Sequence, residues 1–245
     1  MSLLSSSGYQ NMTAMTSANT YAFYKLFQNV GIVSAENLIL PATELANNCY
    51  SSMFKGCSSL STAPELPAKT LSDSCYASMF EDCTSLTTAP EISAGTSNKC
   101  FFAMFRGCTN LTTPPILPAK RLSDSCYFEM FSNCTSLTTA PALPATTLAT
   151  YCYQGMFKGC SSLKTAPELL ATSRYTGCYN EMFYGSGVNY IKCLLSNPGS
   201  ASAGYCTNWL LFAPDAGTFV KNPNASWSRG YSGIPTGWTV QDADI

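Results

Sequence analysis

The stretch Cys49–Leu71, CYSSMFKGCSSLSTAPELPAKTL, is repeated with small changes along most of the chain. Copies begin at Cys49, Cys75, Cys100, Cys126, Cys152 and Cys178, so successive copies start 26, 25, 26, 26 and 26 residues apart. A fixed period of this length is typical of a chain wound into stacked coils, each of which can bury its apolar side chains only against its neighbours. The repeat therefore predicts one continuous core running through the stack.

Aligned copies share a set of apolar positions, which we count from the first Cys of each copy as position 0. Position +1 is aromatic, position +4 is Met, position +5 is Phe, position +8 is Cys or, once, Ser186, and position +11 is Leu in five copies. Positions 0, 4, 8 and 11 lie on one face of an α-helix. The pattern thus predicts a short helix between the two Cys residues of each copy, with Gly56, Gly107 and Gly159 as its C-caps.

The second half of each copy has a different pattern. In SLSTAPELP, residues 59–67, apolar and polar residues alternate, which predicts a short strand. Pro64 and Pro67 lack an N–H group, so we expect its pairing to be brief and interrupted.

The repeat pattern divides the chain into three parts. Residues 1–20 are a lead-in, and residues 21–206 are the stack, beginning with a diverged copy that has Leu26 and Phe27 at the Met-Phe positions, Val30 for the second Cys and Val33 for the Leu. Residues 207–245 lose the pattern, and we expect a β-hairpin there that caps the end of the stack.

The repeated unit MFxGCxSLxTAPELPAxTLxxxCYxx resembles the leucine-rich repeats of BspA-like surface proteins, common in gut Bacteroidales, where AFxxCxxL precedes a strand ending in IP. The resemblance covers residues 21–245, and the closing GTFVKNPNASW and GIPTGWTV are similar to the usual ending of such proteins. It implies an α/β, right-handed leucine-rich-repeat-like solenoid of about seven coils, each with a short helix and a short strand. It also implies a secreted or cell-surface module that binds a protein or a glycan.

Composition excludes several partners. Charged residues are 11% of the chain and the net charge is −1, so the basic surface that nucleic-acid binding requires is missing. The sequence contains no run of eighteen apolar residues, so no membrane span is predicted. Its first ten residues, MSLLSSSGYQ, lack the features of a signal peptide. We expect the protein to be a monomer. Its cellular location is inferred only from the family resemblance.

The 13 cysteines are predicted to be reduced, buried and apolar in character. Two Cys eight residues apart on a helix are separated by about 12 Å, too far to share a disulfide or a metal. Helices packed side by side would hold Cys of neighbouring copies about 10 Å apart, again too far for a disulfide. A zinc site or a ladder of disulfides is the less favoured alternative.

The sequence predicts no catalytic residue, no metal and no cofactor. The chain has no histidine, the commonest general base, and no single-copy constellation of nucleophile and base interrupts the repeat. A binding function must therefore use exposed positions that vary between copies. The candidates are Glu65, Glu91, Glu168, Lys69, Lys120 and Lys164.

Two functions from different classes fit these features. The first is a non-enzymatic adhesion module that binds through one face of the stack. The alternative is a structural spacer that displays another domain, or a component of a bacteriophage adhesin, which needs no signal peptide.

Overall fold

The computed structural model describes residues 14–198 and 204–245, and regular secondary structure occupies little of them. It consists of a 3-10 helix, Ser17–Asn19, and three strands, β1 (Tyr190–Cys193), β2 (Thr218–Lys221) and β3 (Thr239–Asp242). The strands form one parallel sheet in the order β1-β2-β3. The predicted α/β leucine-rich-repeat-like solenoid, with a short helix and a short strand in each coil, is therefore wrong.

Each predicted helix is replaced by a series of tight turns, which we call a turn segment. The full turn segments are residues 20–29, 47–56, 73–82, 98–107, 124–133, 150–159 and 176–185. Every fourth residue in them has a positive φ, as at Asn48 (54°), Ser52 (56°) and Gly56 (74°). Residues with left-handed backbone conformation at this spacing are incompatible with an α-helix. The backbone instead makes one turn every four residues, and this period brings the apolar positions 0, +4 and +8 to the same, inward side.

Backbone hydrogen bonds explain why the turn segments stack. In each turn segment, every second N–H group donates to a backbone carbonyl of the next coil. In the second coil these bonds measure 2.7–3.0 Å, and they join Asn48 to Asp73, Tyr50 to Cys75, Ser52 to Ala77, Phe54 to Met79 and Gly56 to Glu81. The intervening N–H groups donate to the carbonyl three residues earlier, as Met53 does to Tyr50 at 3.2 Å. Every N–H from Asn48 to Gly56 thus has a partner, which buried backbone requires.

The side chains of each repeat position form columns along the stack. The Phe column is fully buried, and neighbouring ring centroids in it lie 5.6–5.8 Å apart with interplanar angles of 4–8° between Phe54 and Phe183. Offset stacked rings at this spacing add to the stabilisation from burial alone. The predicted burial of the Met, Phe and Cys columns is confirmed.

One column on the turn segments alternates between two residue types. Position +7 and its equivalent in the first coil carry, in order, Asn29, Gly56, Asp82, Gly107, Asn133, Gly159 and Gly185, so the alternation holds as far as Gly159. A Cβ atom on Gly56 would lie 2.0 Å from the Oδ1 atom of Asn29, and one on Gly107 would lie 2.2 Å from the Oδ1 atom of Asp82. The side chain of an Asn or Asp in one coil therefore occupies the space that a glycine leaves in the next coil.

The predicted strands are reduced to single bridges between coils, such as Thr88 with Thr113. The prolines at these corners cannot donate to a ladder. The equivalent corner of the sixth copy, NYIKC, has no proline and forms β1, whose Tyr190 bridges Thr165.

The C-terminal region continues the coil path. β2 and β3 pair in parallel, with Phe219 opposite Val240, so the predicted β-hairpin is wrong. Trp209 is fully buried, stacks on Trp227 at 5.3 Å and donates from Nε1 to the carbonyl of Gly233 at 2.7 Å. These contacts cover the last turns of the stack.

The close approach of successive coils predicts a strong effect of Gly187→Ala. The added Cβ would lie 2.1 Å from the carbonyl oxygen of Ser161, a backbone atom of the preceding coil. We expect the substitution to lower the free energy of unfolding by about 1 to 3 kcal/mol, as overpacking typically does.

Gly95→Ala is the matched control, because its Cβ would meet no atom within 4 Å. It should leave stability unchanged or raise it by up to about 1 kcal/mol through the unfolded state. Denaturant unfolding of both variants measures the difference, and equal losses would contradict the close approach.

Candidate binding groove

All six residues predicted to bind lie on the surface, but they do not form one site. Glu65 and Glu91 line the same groove. Glu168, at the same repeat position, instead pairs with Lys192 at 3.1 Å. Lys69, Lys120 and Lys164 are exposed elsewhere.

The groove lies between the proline-bearing corners of two neighbouring coils. It has a volume of about 390 Å³, and Pro64, Pro67 and Pro90 line it beside the two glutamates. Because proline has a fixed φ, the backbone of these walls is rigid. Because proline has no N–H, the walls cannot form a continuous ladder of backbone hydrogen bonds with another strand.

The local alternation of the chain directs the carboxylates into the groove. Pro64 and Leu66 are buried, so Glu65 between them points outward. Glu91 precedes buried Ile92 and occupies the same repeat position one coil further along. The repeat thus places a carboxylate at each side of the groove.

A second groove, of about 490 Å³, adjoins the first. The two share Glu65 and Pro67, and the second adds Glu36, Leu38 and Ile39. Glu36 was missed by sequence reasoning because it lies in the diverged first copy, outside the aligned columns. Together the two grooves form a channel with an acidic and apolar lining, which we call the corner groove.

The carboxylates of the corner groove are not neutralised within the protein. In residues 14–198 and 204–245, no Lys or Arg nitrogen lies within 4 Å of a carboxylate oxygen of Glu36, Glu65 or Glu91. The corner groove therefore presents negative charge to solvent, where it would attract a cationic group.

A separate charge ladder crosses the turn segments. Glu81, whose side chain is only 4% exposed, lies between Lys55, at 2.9 Å, and Arg106. Arg106 also reaches Glu129 at 2.8 Å. Burial would raise the pKa of Glu81, but hydrogen bonds from Arg106 and Lys55 outweigh it, and the pKa is lowered. This ladder joins four neighbouring coils, and its groups already have partners.

Eleven cysteines lie in two columns inside the core, Cys193 lies in β1 and Cys206 lies just before the last turns, and all 13 are free and buried. Burial raises the pKa of Cys49 and of Cys126 to about 12. Thiols of the second column donate to the Phe carbonyl of the preceding coil, as Cys108 does to Phe80 at 3.0 Å and Cys134 to Phe105 at 3.1 Å. Their role here is packing and hydrogen bonding.

The predicted separation of about 10 Å between cysteines of neighbouring copies is wrong. Because the coils are hydrogen-bonded through their backbones, they are separated by about 4.8 Å and not by the 10 Å of packed helices. What opposes a disulfide is direction: equivalent side chains of stacked coils run parallel, whereas a disulfide needs converging Cβ atoms.

The described parts of the chain, residues 14–198 and 204–245, contain no group of three or more His, Cys, Asp or Glu side chains arranged to hold a metal ion. The same residues include no helix with the length and apolar character needed to cross a bilayer.

Comparison with protein-family models, with curated proteins and with solved structures finds no match to this chain.

The buried thiols predict slow alkylation of the native protein. At neutral pH a thiol with a raised pKa is almost entirely protonated and unreactive, and packing also blocks access. Iodoacetamide should therefore label few cysteines in the native protein and all 13 after unfolding without a reductant.

A Ser93→Cys variant, with the new thiol on the exposed wall of the corner groove, provides the control and should label at once. Two results would contradict the prediction that packing protects the thiols. One is labelling of Cys49–Cys160 in the native protein as fast as that of this control, and the other is the detection of disulfides between coils by mass spectrometry.

The charge ladder predicts a pH dependence of stability. Because the folded protein lowers the pKa of Glu81 from its ordinary 4.5, this residue stabilises the fold above that pH. The contribution is lost as pH falls through the lower, folded-state pKa. The Glu81→Gln variant should be less stable than the wild type at neutral pH and lose less stability on acidification to about pH 3.

Thermal melts across this pH range test the prediction, with Glu91→Gln as a control that removes an exposed carboxylate without an ion pair. The control should follow the wild type. Identical acid losses in the wild type and Glu81→Gln would mean that the ladder does not stabilise the fold.

Proposed function

We propose that this chain is a non-enzymatic binding module that recognises a protein or glycan ligand through the corner groove. The observation that carries the proposal is the row of unneutralised carboxylates, Glu36, Glu65 and Glu91, beside rigid proline walls. Such a lining suits a ligand with cationic groups, such as a Lys- or Arg-containing peptide or an amino sugar, and its apolar residues suit the hydrocarbon parts of either.

The proline-restricted backbone of the groove walls also supports a binding role. Pro64, Pro67 and Pro90 limit the conformations of the walls, so a ligand would have less backbone to order on binding. Preorganised walls of this kind reduce the entropic cost of association. A location on a cell surface or outside the cell, which the family resemblance implies, is part of the proposal and is supported by that resemblance alone.

A structural spacer or display scaffold is the second candidate. It is favoured by four carbonyl groups of the first coil, those of Ala22, Tyr24, Leu26 and Gln28, which accept no hydrogen bond from the described residues. A spacer must contact its neighbouring domains through its ends, whereas an adhesion module must bind its ligand selectively through one face.

An array of glycans and of basic and acidic peptides, probed with the labelled protein, tests the proposal. We expect binding to cationic ligands that weakens with added salt, since salt screens exposed charges. Changing Glu65 and Glu91 together to Gln should weaken that binding at least tenfold, because it removes two carboxylates from the groove.

Glu168→Gln is the matched control: it lies at the same repeat position, but its carboxylate is paired with Lys192. It should leave binding unchanged, and all these surface changes should alter stability by no more than about 0.5 kcal/mol. No binding on the array, or binding that the double variant does not affect, would rule out the groove and favour the spacer.

A further inference from the structure

A second cleft is formed by β2, by the loop that follows it and by β3, and it shares no residue with the corner groove. It is lined by side chains of the segment 221–229 together with Ile234 and Val240, and we call it the cap cleft. Its volume is about 420 Å³. Sites for small ligands typically measure about 300–1,000 Å³, so the cap cleft is large enough to hold one.

The loop that carries the cap cleft is held by hydrogen bonds. Asn222, which is buried, donates from Nδ2 to the carbonyl of Leu194 at 3.2 Å, and its Oδ1 atom accepts from the backbone N–H of Asn224 at 3.0 Å. Further along the loop, Ile234 donates to the carbonyl of Ser228 at 2.9 Å. The walls are therefore ordered by the fold itself, which lowers the entropic cost of binding a ligand.

The guanidinium group of Arg229 is anchored through one of its nitrogens. The Nη1 atom donates to the carbonyls of Pro235, at 3.1 Å, and Trp238, at 2.9 Å, which uses both of its hydrogens. Within residues 14–198 and 204–245, Nε and Nη2 make no hydrogen bond, and no carboxylate oxygen lies within 4 Å of the group. Nε and Nη2 form the edge that binds a carboxylate through two parallel hydrogen bonds. The structure thus orients this edge and leaves its charge uncompensated.

The other cation of the cap cleft is already neutralised. Lys221 pairs with Asp242 at 2.6 Å and also donates to the carbonyls of Asn222 and Pro223. These three acceptors match the three N–H groups of the ammonium. Arg229 is therefore the cation of the cleft that can bind a ligand.

An aromatic ring and two small polar side chains complete the lining. Trp227 stacks on Trp209 at a centroid distance of 5.3 Å but remains only partly buried, so its position is fixed while it still contributes surface to the cleft. Asn224 and Ser226 are exposed in the same wall, and within the described parts of the chain their side chains have no hydrogen-bond partner. An amide and a hydroxyl can both donate and accept, as the hydroxyl groups of a sugar require.

We propose that the cap cleft binds an acidic sugar, a uronic acid unit of a glycan. The carboxylate of the sugar accepts two hydrogen bonds from Nε and Nη2 of Arg229, the apolar face of its ring lies against Trp227, and its hydroxyls bond to Asn224 and Ser226. A neutral sugar would leave the guanidinium edge unpaired. The proposal is independent of the corner groove, whose acidic lining would repel such a ligand.

Isothermal titration calorimetry of the full-length protein with a tetrasaccharide of galacturonic acid tests the proposal. We expect saturable binding at one site per chain. The methyl ester of the same tetrasaccharide keeps every ring but no charge, so it should bind at least tenfold more weakly. This comparison uses the wild-type protein alone and does not depend on how a variant folds.

Protein variants locate the site. Arg229→Gln should weaken binding of the acidic tetrasaccharide at least tenfold, whereas Arg121→Gln, the matched control, changes an exposed arginine outside the cleft and should not. Asn224→Ala should weaken binding about threefold or more and leave the melting curve unchanged, because its side chain has no partner in the described residues. Changing Glu65 and Glu91 together to Gln should have no effect, which separates this site from the corner groove.

Four results would overturn the proposal. The first is the absence of binding, and the second is equal binding of the acid and its methyl ester. The third is binding that Arg229→Gln leaves unchanged or that Arg121→Gln weakens as much, which would indicate attraction by overall charge. The fourth is binding of a tetraglutamate peptide as tight as that of the tetrasaccharide, which would make an acidic peptide the ligand.

Discussion

The alternating hydrogen bonds of the turn segments are the interaction on which the rest of this structure depends. One N–H in two stays within its own turn and the other crosses to the next coil. This division brings the coils to about the separation of paired strands without requiring strands. At that distance the aromatic rings of equivalent residues stack, and thiols reach the carbonyls of the neighbouring coil. A glycine is needed at positions where a side chain of the preceding coil lies against the backbone.

The same geometry separates the structural surface of the protein from the surface available for binding. On the turn segments, several charges pair across coils, as Glu81 does with Lys55 and Arg106. At the corners, prolines prevent extended pairing, and no cation within the described parts of the chain pairs with Glu65 or Glu91. The repeat thus builds a uniform core and leaves its corners as the region where exposed side chains differ between coils.

The sequence predicted the repeat length, the buried columns and the exposure of the candidate residues, because these follow from which positions are apolar. It did not predict the backbone, since apolar positions at 0, 4 and 8 fit both a helix and a turn of four residues. The missed signal was position +7, where Gly56, Asp82, Gly107 and Asn133 all tolerate a positive φ. A helix C-cap explains the glycines and the Asn of this column but not Asp82. Glu36 could not be found because the first copy departs from the aligned pattern.

The alternation of Asn or Asp with Gly at position +7 has a consequence for how such a chain can grow. Deleting one coil between Asn29 and Asn133 would bring two Gly or two Asn or Asp residues into contact, and the second case would force side chains into the same space. Deleting or duplicating two coils, about 51 residues, preserves every contact of this column. Within residues 29–159, a pair of coils is therefore the smallest change of length that keeps every contact of this column, whereas the step from Gly159 to Gly185 shows that two glycines can follow each other.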